Sequence, residues 1–536
     1  MTGAADRVTS TPRPVPAGER VQVYAVAPRA AAGRRHQVRV LGRRVLVERF
    51  GGASHVRFGM RGPVTVEIEV DDPITGHRVF PAERAAVGRV AGTVLTLEVP
   101  APLAFVVWID GLEPLFMLLD PIEESPPLAG ATGVVDARDD GADPTGLELA
   151  TAGLQAALDR ASAMDGGGVV VLERGLYRTG TLALRSGVTL YLAPGAVLQG
   201  SRDPADYPLD PGRRESVGDA SLAPDARFLG RTMTFSRLLL VDRAEGVRIA
   251  GRGTIDGDGT FLRTHLGAAP NLLRVRESAD VAIEDVLFRD AAAWSLHVLA
   301  SRDVAFRNVK VINDRANLNT DGIDIDMSSD VTVDGSFIHT KDDAVCIKAT
   351  GNSDLSGNPA RITVTGNLVS SVDAALKVGT ESEAERFSDI VFEDNQVFDS
   401  GRAMSVVVRD GATYERVTYR GVRIGPNVEH LVEQVIGVRD PAAALGAIRD
   451  LAIEDVTAPT FTPPASNWTW YAQFRPSRPA PGSAVNVFEG ADEAHAVDGL
   501  AVRGLVVNGE RIADAAGAAR LAGLTVGPHV RRVTFG

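Results

Sequence analysis

Three aspartates are of the right type and spacing to do acid–base chemistry together: Asp321 in Asn319-Thr320-Asp321-Gly322, and Asp342 and Asp343 in Lys341-Asp342-Asp343-Ala344. Asp321 and Asp342 are 21 residues apart, about one coil of a chain wound into a parallel β-helix, so their segments should stack on adjacent coils. Stacked strands lie roughly 4.7–4.9 Å apart. At that distance like charges push at least one carboxyl pKa upward, and one acid can stay protonated near neutral pH. A protonated acid beside ionised partners suits hydrolysis of a glycosidic bond. Each aspartate alone reads as a turn residue bonding its own backbone; three in this arrangement favour chemistry.

The residues around them divide between chemistry and structure. Asn319 could hold a substrate hydroxyl, orient Asp321 or cap a turn. Asp324 and Asp326 alternate with Ile323 and Ile325, so they face away from the core, with Asp326 expected on a solvated surface. Lys348 could support the carboxylates. His297 and Trp294 lie near an apolar strand and read either as wall residues or as substrate contacts. Lys377 has little apolar reason to sit between Leu376 and Val378, which points it to a cleft, and Glu381 could pair with it or bind a sugar hydroxyl. Arg409 could supply a second cation from the next coil. Trp468 and Trp470, with Tyr471, could stack on a sugar ring or anchor their own loop. The one cysteine, Cys346, excludes an intramolecular disulfide and reads as a buried thiol. No metal or organic cofactor is expected.

Asn-Thr-Asp-Gly, then Asp-Asp 21 residues later and Cys346-Ile347-Lys348, resembles the polygalacturonase-type glycoside hydrolases, a right-handed parallel β-helix family of the pectin-lyase-like superfamily. The likeness extends over roughly residues 134–460 and includes Gly166-Gly167-Gly168-Val169-Val170-Val171, Leu190-Tyr191-Leu192-Ala193-Pro194-Gly195 and Trp294-Ser295-Leu296-His297. It implies Asp342 as the general acid, Asp321 and Asp343 as activators of the attacking water, and an inverting single displacement on an α-linked substrate. Two departures stand out. Where that family carries Gly-His-Gly this chain has Asp373-Ala374-Ala375, and in the region of its Arg-Ile-Lys it has Met404-Ser405-Val406 with Arg409 nearby. Recognition of a carboxylated sugar needs a cation, for which Lys377 and Arg409 are the candidates. A neutral-glycan hydrolase of dextranase type, a polysaccharide lyase and a non-catalytic binding β-helix are the rival readings.

The elements that must position these residues follow from the rest of the chain. At 536 residues, two domains are expected. The 55 glycines suit many tight turns. The formal charge of −13 argues against nucleic acid and anionic membranes as partners and makes a long polyanion a less obvious substrate; a carbohydrate is what the resemblance implies. Residues 1–20 read as a disordered leader without the apolar core of a signal peptide, so a cytoplasmic location is expected. Residues 21–126 alternate in short strands broken by Gly, Pro and Asp, the pattern of an antiparallel β-sandwich. Residues 133–536 read as the parallel β-helix. One strand type recurs from Val281, Val304, Val331, Ile362, Ile390, Val417 and Leu451, at intervals of 23 to 34 residues. Asn308, Asn367 and Asn395 fall at equivalent turns, where asparagine tolerates the left-handed conformation.

Overall fold

The computed structural model describes residues 16–536 apart from 17, 29, 34, 83–87, 209–235, 352–354, 439–443 and 464–485. Most of the leader, and the loop with Trp468 and Trp470, therefore lie outside the described residues.

From Val134 the chain winds through three sheets of 13, 13 and 9 strands, parallel except for one terminal hairpin in the second. One coil runs Ser329–Asp334 in the first sheet, Phe337–Thr340 in the second and Val345–Ala349 in the third, and then returns to the first at Ala360–Thr365. The recurring strand pattern is what stacks. Val281, Val304, Val331, Ile362, Ile390, Val417 and Leu451 are in register across the first sheet, and each is at most 1% exposed. A pleated strand turns alternate side chains to opposite faces, so β-branched residues at every second position fill the helix interior. The helix Thr151–Ser162 adds Leu154, Ala157, Leu158 and Ala161 to the same core at its N-terminal end.

The asparagine turns differ from the expectation. Asn308 is left-handed at φ 51°, but at the next corners the residue before the asparagine takes that conformation, Gly366 at φ 67° and Asp394 at φ 53°. Asn367 and Asn395 are instead fully buried and form a ladder: Asn367 Nδ2 donates to Asn395 Oδ1 at 2.9 Å and to the Val333 carbonyl at 3.0 Å, and Asn395 Nδ2 donates to the Val364 carbonyl at 2.8 Å. A primary amide offers two donors and an acceptor, which is what the buried backbone at a coil corner lacks.

The N-terminal region forms two facing sheets of six and five strands, antiparallel except where Leu115–Pro121 runs parallel to Ala53–Met60. It docks against the outer face of the second sheet. Ala53, Val106, Phe116 and Leu118 pack on Leu287, Ile312, Phe337, Leu368 and Phe398. Asp120, fully buried at this junction, accepts from Tyr24 Oη at 2.9 Å, from Asn308 Nδ2 at 2.9 Å and from the Lys310 ammonium. One turn reaches further: a Cβ on Gly51 would stand 3.1 Å from the Asn313 carbonyl. The sandwich thereby buttresses the loop that leads to Asp321.

Candidate active site

The site lies where the chain passes from the second sheet to the third. Asp321 precedes the strand Ile323–Asp326, and Asp342 and Asp343 precede Val345–Ala349. These strands pair in parallel, with Ile323 opposite Val345 and Ile325 opposite Ile347. The Gly322 amide donates to the Asp343 carbonyl at 2.8 Å, which continues the ladder back to the aspartates. One carboxylate oxygen from each of Asp321, Asp342 and Asp343 lies within 4.8 Å of the others. Such a trio could also face a small cation, but two of the three already have an ammonium partner.

Lys348 Nζ stands 2.9 Å from Asp321 Oδ2 and 2.8 Å from Asp324 Oδ1, and Lys377 Nζ stands 2.7 Å from Asp343 Oδ2. Both lysines are buried. Burial works against each ammonium, yet the neighbouring carboxylates raise both pKa values well above that of an ordinary lysine: Asp321 and Asp324 act on Lys348, Asp343 on Lys377. The Trp294 ring covers Lys348 Nζ at 4.1 Å from its centroid, a cation–π contact that holds the ammonium in place. One ammonium thus faces two buried carboxyls, Asp321 and Asp324. Burial raises both acids, with Lys348 opposing, and Asp324 is pushed up to about 7.

Asp342 is different. It is half-buried, the most open of the three, and among the described residues no lysine or arginine forms an ion pair with it. Burial raises its pKa and the neighbouring Asp343 raises it further; Lys377, Lys348 and the Asp343 amide, which donates to Asp342 Oδ1 at 3.0 Å, oppose. Like-charge repulsion contributes as the spacing suggested, but desolvation is the larger cause at every raised acid here. The arrangement therefore sets one carboxyl without an ammonium partner, Asp342, beside another, Asp343, that pairs with Lys377.

The outward positions of the third sheet form a continuous polar row in register: Arg274, His297, Asp324, Cys346, Lys377, Ser405 and Glu433. His297, read as a wall residue or a substrate contact, is enclosed. It is 1% exposed, its Nδ1 accepts from Arg274 Nε at 3.3 Å and its Nε2 contacts Asp326 Oδ2 at 3.0 Å, which fixes the Nε2–H tautomer because arginine only donates. Asp326, expected at a solvated surface, is fully buried; it also accepts from the Thr350 amide at 3.0 Å and hydroxyl at 2.8 Å. The outward face of this sheet is covered, so alternation away from the core did not mean alternation toward water. Cys346 is a buried thiol, as expected, donating to the Gly379 carbonyl at 2.7 Å.

Asn319 is half-buried and left-handed at φ 56°, with Oδ1 accepting from Arg263 Nη2 at 3.2 Å. Glu381 is half-buried and close enough to act on the charges of both Lys348 and Lys377. Arg409 lies just past the strand Ser400–Val408, where its amide donates to Ser382 Oγ at 2.9 Å.

Two residues here, Arg263 and Arg402, had no sequence signal of comparable strength. Arg263 enters from the segment before the strand Asn271–Arg276, donating to the Ala292 carbonyl at 2.7 Å and to that of Leu318. Arg402, in register with Ala374, forms ion pairs with Asp373 and, at 2.5 Å, with Glu433 Oε2. A single guanidinium at the head of the apolar run Ser400–Val408 was the available clue. Arg402 is thus a fixed cation in addition to Lys377 and Arg409, the two candidates from the sequence.

Residues 230–427 match the model of the glycosyl hydrolases family 28, a span that contains all three aspartates. A probable polygalacturonase of Vitis vinifera is 28% identical over 193 residues, 34% of this chain, and the chain spans only 38% of that protein's length. Among solved structures, the family 28 exopolygalacturonase of Yersinia enterocolitica superposes with a TM-score of 0.56 at 17% identity, covering 88% of this chain and 96% of that one. Dex49A from Penicillium minioluteum also gives 0.56, at 11% identity, over 95% and 96% of the two chains. These superpositions share the fold.

Proposed function

With residues 230–427 matching the family 28 glycosyl hydrolases, we propose that this chain hydrolyses an α-linked, galacturonate-containing saccharide by single displacement with inversion. The observation that carries the reading is the unequal pairing of three adjacent carboxyls. Asp343 has Lys377 and Asp321 shares Lys348, while Asp342 has neither and is the most exposed of the three.

In this mechanism Asp342 gives its proton to the glycosidic oxygen as the bond to the anomeric carbon breaks. Asp343 and Asp321 hold a water between them, since two acceptors within 4.8 Å can both be bonded by one water at about 2.7 Å from each. Asp343 takes a proton from that water as its oxygen attacks the anomeric carbon. Acid and base in inverting enzymes commonly stand about 6.5–9.5 Å apart, so this closer cluster makes the anomeric configuration of the product the decisive measurement. The Arg402 guanidinium, which pairs with Asp373 and Glu433, and Lys377 are the cations that would meet a uronate carboxylate.

A neutral α-glycan is the second reading. It is favoured by the fact that Lys348, Lys377 and Arg402 are all matched with internal carboxylates. The proposal is tested by incubating wild type and Asp342→Asn with α-linked oligogalacturonates and neutral α-glucans and following the anomeric proton by NMR. Release of the β-anomer first, from the uronic substrates and by the wild type alone, is the expected result. The α-anomer first would overturn inversion, and cleavage of the glucans alone would establish the second reading.

A further inference from the structure

A second feature stands on the N-terminal side of the three aspartates in the β-helix, on the helical turn Gly259–Phe261 and the π-turn Leu262–Leu266 that follows it; π-turns are frequent at functional sites. The turn points its residues two ways. Arg263 goes inward to the loop that carries Asn319 and Asp321. Phe261 and His265, one turn apart, go outward and stack with ring centroids 4.7 Å apart and planes inclined by 17°. The Arg202 guanidinium lies 4.1 Å from the centre of the Phe261 ring and is itself held by Asp258, with Nη2 to Oδ1 at 3.1 Å. His265 Nδ1 is fixed by Thr264 Oγ1 at 2.9 Å.

The result is a preorganised stack of three planar groups whose outer member, His265, is exposed. Of seven exposed large aliphatic side chains among the described residues, Leu266 and Leu318, each 44% exposed, stand on this turn and on the loop that Arg263 ties to it. The turn precedes Asn271–Arg276, three strands before Val345–Ala349 in the third sheet, and leans toward the aspartate-bearing loop, with Thr260 Oγ1 accepting from Asn317 Nδ2 at 2.9 Å.

We infer that Phe261, His265 and Arg202, flanked by Leu266 and Leu318, form a distal subsite that stacks on a pyranose ring of an oligosaccharide whose scissile bond lies at Asp342. A pyranose presents an apolar C–H face and a hydroxylated rim. A planar aromatic surface takes the first, and the exposed guanidinium edge of Arg202 meets the second. The inference rests on the proposed glycosidase reading for the position of the scissile bond, not for the binding itself. Its consequence is a preference for chains long enough to span the interval.

The test measures binding and turnover separately. Oligogalacturonates of two to six units are titrated calorimetrically into Asp342→Asn, alone and combined with His265→Ala or His265→Trp, and the turnover of the same ladder is followed in the His265 single variants. The expected result is that His265→Ala lowers the ratio of affinities for the longest and shortest ligands about fivefold, while His265→Trp restores or exceeds it. A ratio unchanged by His265→Ala, an equal loss at every length, or no binding at any length overturns the subsite. If the wild type cleaves nothing but the length-dependent loss of binding persists, the glycosidase reading falls and the subsite stands.

Discussion

Lys377 and Asp343 are 34 residues apart in the chain, and Lys377 Nζ lies 2.7 Å from Asp343 Oδ2 with both side chains below a tenth exposed. The parallel β-helix makes this possible because it places Cys346 and Lys377 side by side on successive coils. An ammonium with so little access to water is held by its partner. Lys377→Met leaves Asp343 buried and uncompensated, which should cost about 3–5 kcal/mol of stability. Lys377→Met combined with Asp343→Asn should recover most of that loss in urea unfolding, because the stranded charge is gone, without recovering turnover. A double variant no more stable than Lys377→Met would show that the pair is not the source of the effect.

Asp342→Asn should abolish most turnover, by about 10²–10⁴-fold, while leaving ligand affinity nearly intact, because the amide keeps the shape and loses the proton. The pH dependence has a definite sign. An acid catalyst works only while protonated, and burial together with Asp343 raises the pKa of Asp342. The active range therefore extends upward, and turnover falls as pH rises through that raised pKa. A pH–rate profile with its alkaline limb at or below the ordinary aspartate range would remove Asp342 from the role.

Much of this was legible in the sequence, for physical reasons that also mark where legibility stopped. The alternation around Val281, Val304 and Val331 and the one-coil interval between Asp321 and Asp342 are periodic, and periodic signals translate directly into stacking. Partnerships between coils are not periodic. That Lys348 serves Asp321 and Asp324, or that Arg402 joins Asp373 to Glu433, depends on which outward residues meet on a covered face. The same limit explains Asp326 and His297: strand parity tells which way they point, but not that the outward side of the third sheet is enclosed. Asn367 and Asn395 were recognised as corner residues, yet the left-handed bend falls one position earlier because the buried backbone there needs their amides.

The junction between the sandwich and the β-helix should fail at one carboxylate. Asp120 is fully buried and answers Lys310 directly, with Arg57 at 3.8 Å and Arg252 at 3.9 Å. Burial opposes its charge, but these three cations hold its pKa far below the usual carboxylate range. Asp120→Ala strands them in a buried interface and should destabilise by about 3–5 kcal/mol. Limited proteolysis should then cut between the two domains. Phe116→Ala, at the apolar contact beside it, should loosen the same junction without exposing a charge, and an unchanged digestion pattern in both variants would show that the domains are held elsewhere.

Stability itself should fall as pH rises through the weakly acidic range, and Asp290 offers the cleanest test. Its Oδ1 accepts from the Thr260 amide at 2.9 Å and hydroxyl at 2.6 Å. Burial, reinforced by Asp256, pushes its pKa from 3.8 up to about 7. The folded state therefore binds a proton that the unfolded state has released above about pH 4, so the contribution is present below that pH and is lost as pH rises toward 7. Each such group tilts the unfolding free energy by about 1.4 kcal/mol per pH unit across that window. Asp290→Asn fixes the neutral form and should flatten the slope by one group's share, while Asp324, also pushed up to about 7, keeps its own. Chemical denaturation at pH 5, 6 and 7 makes the comparison, and parallel slopes for wild type and Asp290→Asn would show that Asp290 is ionised throughout.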